Sequence, residues 1–378
     1  MNQSTSAVIL CNQTLCEIDF RKSSVELALI YSIIFIVSFT MNCLTLWPII
    51  LQVKQKNILG IYLLSLCISD LFYVLTIPLW ILYYYNGHQW QLSWAMCYFS
   101  GFVFYSNVYV SIFLLCCISF DRYLAVVYPI KSLGFRRPSK AVQVSLSIFL
   151  AIFAFHLPVF LDSINQDGAH IKDNQTCFEH IPLIKPVAIT NYFRFIAGFL
   201  VPLLILILTY QRIFTGVRKS LTLGMEQKAK VKLLSISVII IFFICFAPYH
   251  IILLLRTINF TLMDCSCDFE QDVHLYFNIS LALSSLNSAV DPILYVLVSD
   301  SVKKDLMKSF TSISRIMFTK RSNRSPNSLT KTTALDPRLT NRTYASVPTC
   351  SPTPPKLDKG QDRDNTGSGI MSPCRESD

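Results

Sequence analysis

Charge is what this chain lacks. Only 15% of its 378 residues are Asp, Glu, Lys or Arg, against 52% hydrophobic, and the mean hydropathy is +0.47. An ordinary soluble protein carries about a quarter charged residues, so a water-exposed globule is excluded. The polar faces that would let the apolar blocks serve as core helices of a large soluble protein are missing too. Residues 1–24 lack an apolar core ahead of a small-residue cleavage site. No secretory signal is therefore expected, and the first apolar block should act as an uncleaved anchor. The chain shows no nucleophile–base signature of a hydrolase, so no enzyme is expected. Repeated halves or paired broken segments, the mark of many transporters, are also missing.

What is present is apolar sequence in seven blocks, roughly 25–51, 58–84, 95–121, 140–161, 186–210, 231–255 and 274–298. Each is near or above the roughly 20 residues a helix needs to cross a bilayer. The expected fold is an all-α membrane protein, a bundle of seven spanning helices over 25–298. Basic residues set its orientation. Lys54, Lys56, Lys131, Arg136, Arg137, Lys140, Arg212, Arg218, Lys219, Lys228, Lys230 and Lys232 fall on one side, and only Arg21, Lys22, Lys172, Lys185 and Arg256 on the other. The first side is cytoplasmic by the positive-inside tendency, which puts the N-terminus outside and the C-terminus inside. The formal charge of +10 then reflects orientation and anionic lipid, not a nucleic-acid footprint.

Asn2, Asn12, Asn174 and Asn259 begin glycosylation sequons on the outer side, and residues 1–24 are expected to be a glycosylated extracellular segment. Asn278, Asn323 and Asn341 begin others that should be inaccessible. Of thirteen cysteines, Cys43, Cys67, Cys116, Cys117 and Cys245 sit within spans as packing residues. Cys97 opens the third span on the outer side and Cys177 lies in the second outer loop, a compartment that permits disulfides, so the two are expected to pair. Cys11 and Cys16 face Cys265 and Cys267 as a second outer set whose pairing the sequence leaves open. Residues 299–318 alternate basic and apolar side chains like a short amphipathic helix on the inner membrane surface. Residues 319–378 are rich in Ser, Thr and Pro and read as a disordered cytoplasmic tail.

Inside the spans stand polar groups that a bilayer makes costly. "SSLNSAVDPILYVLV" at 284–298 places Asp291 ahead of Pro292 in the seventh span, with Asn287 one turn earlier. Asp70 lies mid-span in "LSLCISDLFY", and Asn107 and Ser111 lie one turn apart on the third span. Two carboxylates with amide and hydroxyl oxygens would make a hard, oxygen-lined cation site. Equally, such groups can simply hydrogen-bond helices together.

Asn42, "LSLCISD" ending at Asp70, Cys97, "SFDRYLAVVYP" at 119–129, Pro202 with Tyr210, "FAP" at 246–248 and "NSAVDPILY" at 287–295 stand in fixed order on the spans. Over about 25–318 the chain thereby resembles a rhodopsin-like (class A) G-protein-coupled receptor. The resemblance implies a sodium pocket of Asp70, Asn107, Ser111, Asn287 and Asp291, and no other cofactor. It also implies an inner switch of Asp121, Arg122, Tyr123, Tyr210 and Tyr295 that admits a heterotrimeric G protein, with arrestin recruited through a phosphorylated tail. In physical terms Arg122 is a permanent cation held by its neighbour Asp121, and Pro202, Pro248 and Pro292 each remove a backbone hydrogen bond where a helix can bend.

The family pattern is not followed everywhere. Phe246 and Phe149 stand where tryptophan is usual, and Asp291 replaces the commoner asparagine. Lys228 stands where an acid often holds the switch arginine, so noticeable basal activity is expected. An opsin needs a lysine in the seventh span, but 274–298 has none and Ser285 stands about there. Within the family, "GIYLLSLCISDLFYVLTIPLWI" and "CCISFDRYLAVVYPIKS" look most similar to the branch that answers protons, lysolipids and oxidised fatty acids.

Two signals fit that branch. Arg194, in "NYFRFIAGFLVP", is a cation in the outer half of the fifth span. With Phe104, Tyr105, Tyr109, Phe246, Tyr249 and His250 it should line an outer cavity suited to a carboxylate or phosphate on an acyl chain. The alternatives are that Arg194 snorkels to the interface, or that the ligand is another small anion such as a nucleotide. All six histidines, His88, His156, His170, His180, His250 and His274, map to the outer half, where titration near pH 6.5 would report acidification. Ile152 stands where the strongest proton sensors of the branch carry glutamate, so any acid response should be weak.

Overall fold

The computed structural model of this chain describes residues 6–11, 14–19, 23–170, 176–177, 183, 185–220, 224–263 and 267–298. Asn2, Asn12, Asn174, His180, Cys265 and the segments 299–318 and 319–378 lie outside the described residues, as do the side chains of Cys11, Cys16, His170 and Cys267.

A short antiparallel hairpin comes first, β1 (Ser6–Cys11) with β2 (Thr14–Asp19), in register from Ser6 opposite Asp19 to Cys11 opposite Thr14. Seven helical segments follow. They are α1 (Ser24–Lys54), α2 (Ile58–Val74, resuming as Ile77–Tyr85), α3 (Trp94–Val127) and α4 (Pro138–His170). Then come α5 (Lys185–Phe195 through Val201–Lys219), α6 (Met225–Ile241 through Ala247–Met263) and α7 (Cys267–Ser285, then Asn287–Val298). Six of them are long and apolar enough to cross a membrane. In α7 the helix divides at Leu286 and its first turns carry Asp268, Glu270 and Asp272, which separates it from the other six.

Beside an apolar core, the bundle buries many polar groups and turns large apolar side chains outward. Asn42, Asp70, Ser111, Asn287 and Asp291 are all fully buried, while Ile33, Ile36 and Phe72 are more than 60% exposed. That distribution costs too much in water and is what a hydrocarbon solvent favours, because helices satisfy their own backbone and hide residual polar groups against one another. On α1 the buried residues Leu27, Tyr31, Ile34, Ser38, Asn42 and Thr45 recur every three or four positions, so a single stripe faces the bundle. Asn42 fastens that stripe to α7, its amide donating to the Ser38 and Ser288 carbonyls at 2.9 and 2.8 Å.

Irregular turns mark the prolines. A π-helical segment, Ile196–Leu200, precedes Pro202 in α5, and another, Phe242–Phe246, precedes Pro248 in α6. An extra residue per turn and a missing amide donor both loosen the helix there. The Cys245 carbonyl, within the second segment, accepts a 2.9 Å hydrogen bond from Ser284 of α7. In α2 the helix breaks at Leu75–Thr76, just ahead of Pro78.

Candidate functional site

At mid-bundle, α3 and α2 meet through Asn107. Its amide nitrogen donates to Asp70 Oδ1 at 3.0 Å and Ser69 Oγ at 3.1 Å. Asp70 Oδ2, Asn107 Oδ1, Ser111 Oγ, both polar atoms of Asn287 and both carboxylate oxygens of Asp291 are buried without a hydrogen-bond partner. Asp291 lies within electrostatic reach of Asp70. Buried polar atoms almost always have partners, so these orphaned groups leave room for a polar partner that the side chains do not supply. The donor set is hard oxygen and suits a small cation of sodium type with its water. Among the described residues no three His, Cys, Asp or Glu side chains cluster as a metal site. Amide and hydroxyl oxygens would therefore have to complete the shell.

At the end of the bundle opposite Cys97, Arg122 Nη2 meets Asp121 Oδ2 at 3.0 Å. Sequence reasoning missed a second cation there. Arg136, in the loop before α4, binds the same carboxylate at 2.8 Å through Nε and 3.2 Å through Nη2. Asp121 is thus shared between two arginines. Lys228 is half-buried and follows Glu226, which pairs with Lys230 at 2.9 Å. The Tyr210 hydroxyl of α5 hydrogen-bonds Ser119 of α3. Tyr295 is fully buried with its hydroxyl unpartnered, and Tyr123 packs edge-on against Tyr128. Tyr210 of α5 thus reaches the buried side of α3, and Arg122, a quarter exposed, stands at the mouth of the bundle.

Cys97 and Cys177 are joined, with Cα atoms 5.8 Å apart. Their bond ties the second loop to α3, and the Cys177 amide donates to the Tyr83 hydroxyl at 3.3 Å. Beneath it the aromatic residues fill most of the space. The cavity lined by Tyr31, Trp80, Phe104, Tyr105, Phe277 and Cys177 holds only about 30 Å³. Phe246, Tyr249 and His250 are fully buried, with His250 stacked on Phe199 at 4.7 Å and its Nδ1 against the Phe246 carbonyl at 2.7 Å.

Arg194 lies in α5 before the π-helical segment, 8% exposed. Its guanidinium carbon sits 4.5 Å above the Tyr105 ring, and Tyr249 and Tyr109 are within electrostatic reach. No carboxylate among the described residues pairs with it. Arg256 behaves differently. Its Nη2 and Nε meet Glu270 Oε2 at 2.7 and 3.0 Å, joining α6 to α7 in a buried pair stacked on Phe277. The sequence offered Arg256 only as an outer basic residue.

The histidines separate into two groups. His88 and His274 come together with ring centres 5.6 Å apart, His274 also 3.1 Å from the Asn278 amide. His88 adopts a left-handed backbone, φ 62°. His156 lies between α3 and α4, stacked on Tyr109 at 5.5 Å with Nδ1 against the Ile152 carbonyl. Asn259 stands within the last turns of α6, half-buried.

Comparison with known proteins agrees with this geometry. Residues 41–295 match the model of the 7 transmembrane receptor (rhodopsin family). The chain is 38% identical over 300 residues to mouse "Probable G-protein coupled receptor 132", covering 78% of this chain and 76% of that one. It is 36% identical to human "G-protein coupled receptor 68", covering 78% and 79%, and 34% identical to human "G-protein coupled receptor 65", covering 74% and 84%. The chain belongs to the rhodopsin family of seven-transmembrane receptors, the class A G-protein-coupled receptors.

Proposed function

We propose that this receptor stands in the plasma membrane with its N-terminus outside and converts an amphipathic anionic lipid into G-protein activation. The chemical class is a lysophospholipid or an oxidised fatty acid. Arg194 carries the reading. It is a permanent cation, nine-tenths buried and without a carboxylate among the described residues, held among tyrosines. Leaving such a charge unpaired costs several kcal/mol, and a ligand carboxylate or phosphate would supply the missing partner through charge-assisted hydrogen bonds.

Signal transfer would run through the loosened segments of α5 and α6 to Arg122. In the resting packing Asp121 holds Arg122, and Tyr210 ties α5 to α3 through Ser119. Movement of α6 about Phe242–Phe246 and Pro248 would open the end of the bundle where a G protein binds. Asp70, Asn107, Ser111, Asn287 and Asp291 would hold a sodium ion that favours the closed packing. Arrestin would follow through the phosphorylated tail, and Asn2, Asn12, Asn174 and Asn259 would carry glycans.

A second input is favoured by the approach of His88 to His274. Two imidazoles at that distance repel once both are protonated. If the active packing parts the end of α2 from α7, acid promotes it. A grid of pH and lipid concentration, read with a panel of G-protein sensors, tests both inputs. The lipid reading requires that Arg194→Gln lose the lipid response while Arg194→Lys retains part of it. A lipid response that Arg194→Gln leaves intact would end that reading. The proton reading requires that His88→Phe and His274→Phe each flatten the response between pH 8 and 6, and an unchanged slope would end it.

A further inference from the structure

Resting on the reading of Arg194 as the anionic anchor, we infer that the ligand's acyl chain lies in a bilayer-facing groove between α3, α4 and α5, and that the ligand reaches Arg194 sideways from the membrane. The first observation is a contrast in space. The cavity under the Cys97–Cys177 bond holds about 30 Å³, room for two or three water molecules at about 10–15 Å³ each. The groove holds about 560 Å³, within the range of about 300–1,000 Å³ typical of small-molecule sites.

The second observation is where Arg194 belongs. It lines the groove with Tyr109, Phe113, Val144, Ile148 and Ala151, and it does not line the small cavity. The Tyr105 ring, which does line that cavity, covers the guanidinium at 4.5 Å. Access to the cation from the centre of the bundle is therefore screened by an aromatic plate. From the groove side the walls are almost wholly apolar; beside Ser147 and the Tyr109 hydroxyl one charged group stands among them, the buried Arg194 without a carboxylate partner among the described residues. A charged head and an apolar tail match that layout, and a nucleotide, polar along its whole length, does not.

Glycine at 198 keeps the groove open. A Cβ there would come within 2.4 Å of Tyr109 Cε1, so any side chain would push Tyr109 away from α5 and close the groove at its deep end. Val144 and Ala151 are exposed on α4, which lets a lipid slide in without parting the helices. Near the same end Phe155 and Phe193 stack at 5.0 Å between α4 and α5, an apolar bridge over the path from the membrane.

The test uses the full chain in nanodiscs containing a fatty acid with a photoreactive diazirine at mid-chain, followed by mapping of the labelled peptides. Labelling is expected on α4 between Val144 and Phe155 and on α5 around Phe193. It should fall at least about tenfold in Arg194→Gln, the equivalent of about 1.4 kcal/mol. Ala151→Trp fills the groove from an exposed position, so surface delivery should stay normal while lipid potency falls by a similar factor. Label confined to Trp80, Phe104 or Phe277, and lost in Arg194→Gln, would overturn the sideways route and leave the anchor standing. Groove label that Arg194→Gln does not reduce would mark ordinary boundary lipid and overturn both. An Ala151→Trp receptor with unchanged lipid potency would overturn the groove alone.

Discussion

Replacing Arg256 with methionine removes the guanidinium that holds Glu270 and keeps a stem of similar reach over the Phe277 ring. The pair is buried, with side chains 8% and 7% exposed and contacts of 2.7 and 3.0 Å to one carboxylate oxygen. Solvent screening is therefore slight, and the surface-pair value of about 0–1 kcal/mol does not apply. Stranding the Glu270 carboxylate should cost about 3–5 kcal/mol. Removing both charges together, in Arg256→Met with Glu270→Leu, should restore stability to within about 1 kcal/mol of the parent, because an apolar replacement of a buried pair is often neutral. Glu270→Leu alone strands Arg256 at a similar cost, so the double-mutant cycle yields a coupling of about 5–9 kcal/mol, above the roughly 0.5–3 kcal/mol usual for neighbours. Reversible unfolding of the purified receptor in detergent measures it. Since the pair joins α6 to α7, Arg256→Met should also raise basal G-protein activation. A loss under about 1 kcal/mol in Arg256→Met, or a double mutant as poor as the sum of the singles, would refute the claim that α6 and α7 are clamped by charge at Arg256 and Glu270.

Arg122→Ala should abolish G-protein activation and leave surface delivery largely intact, since the group stands at the mouth of the bundle; nucleotide exchange beside surface labelling separates the two. Serine at Cys97 or Cys177 should lower surface expression and ligand response together, at a cost of about 2–5 kcal/mol, whereas wild-type behaviour would mean the bond has no structural role. Asp291→Asn keeps shape and removes one charge beside Asp70, so it should weaken the effect of sodium on basal activity with folding preserved. An unchanged sodium titration would leave Asp291 as a helix-packing group.

Seven spans were legible because each must satisfy its backbone internally, and that demand writes itself into local hydropathy. Their ends were less so. The block expected at 231–255 belongs to a helix running from Met225 to Met263, since a helix continues past the bilayer wherever its turns remain satisfied. The hairpin of Ser6–Cys11 and Thr14–Asp19 went unseen because two six-residue stretches among sequons and cysteines give little periodicity. The π-helical segments were missed for another reason. Pro202 and Pro248 marked weak points, but where the extra residue is inserted depends on packing against neighbours, as the Ser284 bond to the Cys245 carbonyl shows. Pairings that need the rotation of one helix against another were out of reach. Arg256 with Glu270, Arg136 with Asp121 and His88 with His274 join residues whose neighbourhood only the fold creates. Arg194 was legible as a cation in a span, but its placement toward the groove between α3, α4 and α5 was not, because sequence spacing does not say which interhelical gap stays open.

The most direct measurement of the lipid reading is nucleotide exchange on a G protein by the purified receptor in nanodiscs, titrated with an oxidised fatty acid and with its methyl ester. The two share the acyl chain and differ in the charge that Arg194 would hold. The free acid should stimulate exchange, the ester should be weaker by at least about tenfold, or about 1.4 kcal/mol, and Arg194→Gln should erase the difference between them. Equal potency of acid and ester on the parent receptor, or an acid response that survives Arg194→Gln undiminished, would contradict the account.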